Sequence, residues 1–151
     1  MINVVLVEPD IAANTGNVAR LCAATKCVLH LVGPMGFELS DRMLKRAGMD
    51  YWKLVDYKLW ENWAEFQKEI EERRYFFLSS KAKKTIYEEK FCKGDYLIFG
   101  RETKGLPESL LRKNPEKCLT IPMPNPDARC LNLATSVSVA AYEALRQLGK
   151  L

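Results

Sequence analysis

A chain of 151 residues is long enough for one sizeable core, since at this length folding buries roughly 68–70% of the surface an unfolded chain exposes. Its 48% hydrophobic and 28% charged residues exclude a disordered or fibrous composition, and no apolar run approaches the ~20 residues of a membrane span. The 23 basic and 19 acidic residues leave a net charge of +4, which permits an anionic partner without locating one.

In chain order, "INVVLV" at residues 2–7 reads as a central strand, because a nearly continuous apolar run suits a strand covered on both faces. A helix is predicted over residues 16–26, followed by a strand in "VLHLVG" and a short helix near residues 40–47. "KLVDY" at 53–57 reads as the next strand. An amphipathic helix over 61–73 follows, with Trp63, Phe66 and Ile70 at three-four spacing toward the sheet. "YFFLSS", "DYLIFG" and "CLTIPM" supply three more strands; Pro107 opens a short helix, and Asn132 caps a last one over 132–148. Alternation of this kind predicts an α/β domain, a largely parallel sheet flanked by helices, undivided over 1–151. Between Leu133 and Tyr142 the last helix is entirely small, apolar or hydroxylic, so it is expected to be covered on more than one side.

Ligands of an open parallel sheet gather beyond the carboxyl ends of its strands, which singles out three loops. "EPDIAANTGNVARLC", residues 8–22, leads through Asn14 into a helix whose predicted start puts Arg20 in the first turn. That is either a phosphate site at a helix N-terminus or a plain capped start with a solvated arginine. "FGRETKGLPESLL", residues 99–111, brackets a charged turn between Gly100 and Gly105, and reads either as a close approach of backbone to a ligand or as an ordinary strand-to-helix connection. Neither GxxxxGK[ST] nor GxGxxG is present, which disfavours a P-loop or an ordinary dinucleotide site. In "IPMPNPDARCLN", Pro122, Pro124 and Pro126 hold the chain extended, with carbonyls free to read an adenine edge or merely as a rigid crossover.

Other residues take the plainer reading. His30 is expected to be a strand histidine bonded to backbone, and Cys22 and Cys27 small buried side chains. Five scattered cysteines without a CxxC pair argue against a metal site. Together with an N-terminus that does not read as a secretion signal, they fit the cytoplasm. "KAKK" at 81–84 is either a solvated loop or, with Arg101, a set of phosphate contacts.

Taken in order, "EPDIAANTGNVARLC", "DYLIFGRETKGLP" and "IPMPNPDARCLNLATSVSVAAYEALRQ" resemble the three signature motifs of the SPOUT class of RNA methyltransferases. "LHLVGPMGFELSDRMLKRAGMDYW" extends the likeness toward the small TrmL (YibK-like) branch, so the resemblance covers essentially the whole chain. It implies a SPOUT fold with a C-terminal deep trefoil knot, a homodimer, and S-adenosylmethionine bound in the knot. It further implies 2′-O-methylation of the wobble cytidine or uridine of tRNA, with leucine isoacceptors as substrates.

By position in the motifs, the cofactor site implied by the resemblance comprises Leu78, Gly100, Ile121, Met123, Cys130 and Leu131. Arg20 matches the catalytic arginine, with Asn14 beside it as an orienting residue; Glu102, Asn132, Ser136 and Tyr142 match further motif positions, the last three near the partner subunit's site. Cys130 stands where serine is common, and Arg101 follows Gly100 unusually. The RNA surface is expected to use basic residues such as Arg42, Lys45, Arg46, Lys104 and Arg129. A related enzyme acting at another RNA position, or a silent RNA-binding protein of the same fold, are the competing readings; retention of Asn14, Arg20, Gly100, Glu102 and Asn132 argues against the second.

Overall fold

The apolar run near the N-terminus forms β1 (Asn3–Val7), and its side chains divide by parity as a pleated strand requires. Val4 and Leu6 join one buried cluster with Val18, Ala19, Val137 and Ala140, while Val5 and Val7 join another with Phe66, Ile70 and Phe77. Such a strand is covered on both faces. The computed structural model of the chain describes residues 1–39 and 50–151. The helix predicted over 40–47, and with it Arg42, Lys45 and Arg46, falls outside the described residues.

Around β1 the described residues build a six-stranded sheet in the order β3-β2-β1-β5-β4-β6. Its members are β2 (Val28–Val32), β3 (Tyr57–Trp60), β4 (Tyr75–Leu78), β5 (Tyr96–Phe99) and β6 (Cys118–Leu119), and every pairing is parallel. Helices α1 (Ala12–Thr25) and α4 (Leu133–Gln147) lie over one face; α2 (Trp63–Ile70) and α3 (Glu108–Lys113) serve the other. Phe66 and Ile70 of α2 are buried against the sheet and Trp63 packs beside them, as the spacing predicts. Asn132 caps α4, accepting the Thr135 N–H at 3.2 Å.

Three local expectations are corrected. The third strand lies at Tyr57–Trp60 rather than 53–57, because Asp50–Leu54 closes a 3-10 turn and only the residues beyond it reach the β2 ladder. Tyr57–Trp60 is an edge strand with three of its four residues exposed, so it carries no apolar run to announce it. The first helix begins at Ala12 rather than Gly16. Ile11, at its N-cap position, provides no side-chain cap; a carboxylate from far along the chain binds the Asp10 and Ile11 N–H groups just ahead of the helix.

His30 is the third correction. It is buried, and its partners are side chains rather than backbone: Trp60 Nε1–H donates to Nδ1 at 3.1 Å, and Nε2 pairs with Asn3 Oδ1 at 3.1 Å. The network fixes the neutral tautomer with its proton on Nε2. Burial pushes the His30 pKa down to about 4, with nearby Lys58 acting in the same direction.

Candidate functional site

Beyond the carboxyl ends of β4, β5 and β6, three loops close around a cavity of about 540 Å³. One wall is Leu78 to Lys81 after β4, and a second is the stretch from Phe99 to Leu106 after β5. The third comes from the segment after β6, through Thr120, Ile121, Met123 and Arg129 to Leu133. Ile11 and Asn14 of the α1 start and Ser136 of α4 complete it. A volume of this size suits a small organic ligand or cofactor.

The second wall owes its shape to two glycines. A Cβ at Gly100 would stand 2.1 Å from the Gly105 carbonyl carbon, so only glycine permits the loop to close on itself there. Gly105, at φ +64°, turns the chain back and donates its N–H to the Arg101 carbonyl at 2.9 Å. Phosphate cradling is not required to explain this loop; its own backbone contact demands the glycines.

The third wall crosses the site. Thr120 is bound to the 84–86 segment through Lys84 O at 2.8 Å and Ile86 N–H at 2.9 Å, beside the sheet edge. Twelve residues later, Asn132 donates from Nδ2 to Asn14 Oδ1 at 3.0 Å, beyond the end of β1. The intervening chain therefore passes over the ends of β4 and β5. Asn125 shapes its tip by accepting the Asp127 N–H at 2.9 Å.

Leu78, Gly100, Ile121, Met123, Cys130 and Leu131 all line the cavity, together with Asn14, Glu102, Asn132 and Ser136. Arg20 and Tyr142 do not. With α1 beginning at Ala12, Arg20 sits in its third turn rather than its first, on the exposed side, its guanidinium carbon 5.0 Å from the centre of the Tyr51 ring. Tyr142 is 46% exposed on the outer side of α4. Of the basic residues, Lys81, Arg101, Lys104 and Arg129 border the cavity. Lys81 is paired with Glu108 and Arg101 with Glu8, whereas Lys84 turns to Glu89.

The α1 N-terminus, for which the sequence left open a phosphate site or a plain capped start, is met by a carboxylate of the protein itself. Glu102 Oε2 accepts the Asp10 and Ile11 N–H groups, each at 2.8 Å. Its other oxygen, Oε1, is buried without a partner among the described residues. Sequence reasoning matched Glu102 to a motif but missed this contact, and it missed Tyr51 and the Thr103–Asp10 hydrogen bond at 3.0 Å. Partners some 90 residues apart leave no local signature.

A model of the SpoU rRNA methylase family matches residues 1–142. The tRNA (cytidine(34)-2′-O)-methyltransferase of Saccharophagus degradans is 47% identical over 150 residues, 99% of this chain and 97% of that relative. A solved structure described as "Structural insights into the 2-OH methylation of C/U34 on tRNA" is 49% identical, with a TM-score of 0.93 over 100% of this chain and 98% of the other. At 21% identity, the SpoU methyltransferase AviRb of Streptomyces viridochromogenes, solved with AdoMet, shares the fold: its TM-score is 0.83, covering 97% of this chain and 57% of that one. Matched along nearly its full length in sequence and in architecture, the chain belongs to the SpoU rRNA methylase family.

Proposed function

We propose that this protein methylates the ribose 2′-hydroxyl of the wobble nucleotide of tRNA, cytidine or uridine 34, with S-adenosylmethionine as donor and leucine isoacceptors as substrates. One observation carries the reading: three loops from adjacent strand ends enclose a cofactor-sized cavity whose rim is tied by the Asn14–Asn132 bridge to the helix bearing Arg20. The nucleotide assignment draws on relatives named for position 34.

The residues present fit the cofactor. Leu78, Ile121, Met123 and Leu131 offer apolar surface for an adenine ring, and the backbone of Gly100 and Cys130 offers polar groups in the same cavity. The unpartnered Glu102 Oε1 is an acceptor in want of a donor, which hydroxyl or ammonium groups supply. When bound, S-adenosylmethionine contributes an electrophilic methyl group on sulfur.

The chain itself must then align the ribose and manage one proton. Arg20 is a poor base, since a guanidinium carries five donors and no acceptor lone pair to take a proton. Its part is to hold a substrate phosphate and to stabilise negative charge developing on the 2′-oxygen, with the proton leaving to water or to that phosphate. Asn14 orients from the cavity rim. Because Arg20 faces outward from α1, the site is completed by a second subunit, and the homodimer uses the Arg20 side of α1 and the outer side of α4, where Tyr142 is 46% exposed. The crossing segment from Thr120 to Asn132 is read as the thread of the trefoil knot, and Lys104 and Arg129 as phosphate contacts at its mouth. A cytoplasmic location is part of this reading, supported by the free cysteines and by a tRNA substrate.

The test is to incubate the purified protein with labelled S-adenosylmethionine and total tRNA lacking the mark, then map methylated nucleotides by mass spectrometry. A 2′-O-methyl group at the wobble position of leucine tRNAs, lost in Arg20→Ala, is the expected result. A mark elsewhere moves the substrate, and none at all, despite cofactor binding, refutes the assignment.

A further inference from the structure

Three consecutive residues of the β5 loop each bind the loop that follows β1. The Arg101 guanidinium pairs with Glu8 Oε2 at 2.9 Å, Glu102 Oε2 accepts the Asp10 and Ile11 N–H groups at 2.8 Å, and the Thr103 hydroxyl donates to Asp10 Oδ2 at 3.0 Å. The receiving segment is under strain. Glu8 holds φ at +49°, a left-handed conformation that a residue with a Cβ adopts only when its surroundings enforce it. Resting on the function proposed above, we infer that Arg101, Glu102 and Thr103 form a latch that positions the first turn of α1, and with it Asn14, against the cofactor cavity.

The argument is one of division of labour within α1. From Val18 onward the helix is held by its apolar side: Val18, Ala19 and Cys22 are buried in the core. Its start has no such apolar anchor: Ile11 is half-exposed and contributes no side-chain cap, and the residues buried there, Asn14, Thr15 and Gly16, belong to no apolar cluster. Asn14 stands in that first turn, lines the cavity and bridges to Asn132. Its place is therefore set by the latch and the bridge, whereas Arg20, two turns on, is set by the helix body and Tyr51. The latch residues are themselves part of the cavity wall, so the wall and Asn14 move as one piece. Loop closure between Gly100 and Gly105 does not depend on the latch, because it rests on backbone contact.

Loss of the latch should therefore reduce turnover more than cofactor binding or global stability. The variants Arg101→Ala, Thr103→Val and their combination, prepared as the full chain, separate these quantities. In the double variant, kcat for tRNA methylation is expected to fall about thirty-fold, in line with the cost of a misplaced orienting group. Both residues border the cofactor cavity, so the dissociation constant for S-adenosylmethionine is expected to rise, but by far less than kcat falls, about five-fold at most, while the melting temperature stays within about 3 °C of the parent. Arg101→Lys, which retains the charge opposite Glu8, should recover most of the single-variant loss, a rescue that a purely packing role would not give. Hydrogen exchange at residues 8–14 should accelerate while exchange in the rest of α1 does not. Unchanged kcat together with unchanged exchange in the double variant would overturn the proposal, as would a loss of kcat matched by an equal loss of cofactor affinity. Should the unaltered protein fail to methylate tRNA, the proposed function falls by itself, and the exchange measurement alone decides the latch: local opening upholds it, and none refutes it.

Discussion

Helices α1 and α4 cover the same face of the sheet and pack on each other, yet their first turns are secured by different means. For α4 the cap is local: Asn132 Oδ1 accepts an N–H three residues ahead, and any fragment containing that sequence can make the same bond. For α1 the cap is tertiary: the carboxylate of Glu102 arrives from 91 residues away, at the tip of the β5 loop. A locally capped helix start is fixed by its own residues. One capped from a distance is only as well placed as the loop that reaches it, which ties α1 to the cavity wall and leaves α4 as the fixed reference.

The strongest way to break that contrast is to deform the β5 loop itself. Gly100→Ala places a Cβ against the Gly105 and Leu106 backbone, at 2.1 and 2.2 Å, where no flexible side chain can yield. We expect a loss of about 3 kcal/mol or more in the denaturant midpoint analysis, with S-adenosylmethionine binding abolished and accelerated exchange at the α1 start but not at the α4 start.

A second region supplies a control far from both helix starts. His30, under α2, is surrounded by Trp60, Phe66 and Tyr96 and has both ring nitrogens partnered. Its pKa falls from 6.5 unfolded to about 4 folded, so between those values the unfolded chain binds a proton that the folded one refuses. Stability is then full above pH 6.5 and declines as the pH falls, by up to about 1.4 kcal/mol per unit. From pH 6.5 to 5 this amounts to roughly 2 kcal/mol. The carboxylates held low by hydrogen bonds, Glu88, Glu108 and Glu143, lose their share only below the ordinary carboxylate value of 4.5, outside that window. His30→Gln retains a donor for Asn3 and an acceptor for Trp60 without the titration, and denaturant midpoints measured from pH 7 to 5 should be flat in it and sloped in the parent.

What could be read from the sequence follows the same line between local and distant causes. β1 and β5 announced themselves as continuous apolar runs, α2 through Trp63, Phe66 and Ile70, and α4 through Asn132, because the residues that determine each lie within it. The six positions expected from motif order to hold a cofactor meet at one cavity, since strand order in a parallel sheet dictates which loops become neighbours. The α1 start was displaced by four residues because its cap is Glu102, and with it Arg20 moved from the first turn to the third. β3 was placed four residues early because an edge strand need not be apolar, and the partners of His30 were missed because Asn3 and Trp60 are 27 and 30 residues away.

The smallest expected effect gives the sharpest version of the comparison. Asn132 does two things with one side chain: Oδ1 caps α4, and Nδ2 donates to Asn14 Oδ1. Asn132→Ala removes both and should cost about 1 kcal/mol in thermal unfolding, the ordinary worth of a cap. Asn132→Asp keeps the cap, since a carboxylate serves as well as an amide at that position and suits the helix dipole. It also sets an acceptor opposite Asn14, whose own amide can turn to donate in return. Stability of Asn132→Asp should therefore lie within about 0.5 kcal/mol of the parent. If instead it falls as far as Asn132→Ala, the worth of Asn132 resides in the bridge to Asn14 rather than in the cap. The α4 start would then depend on a distant partner just as α1 does.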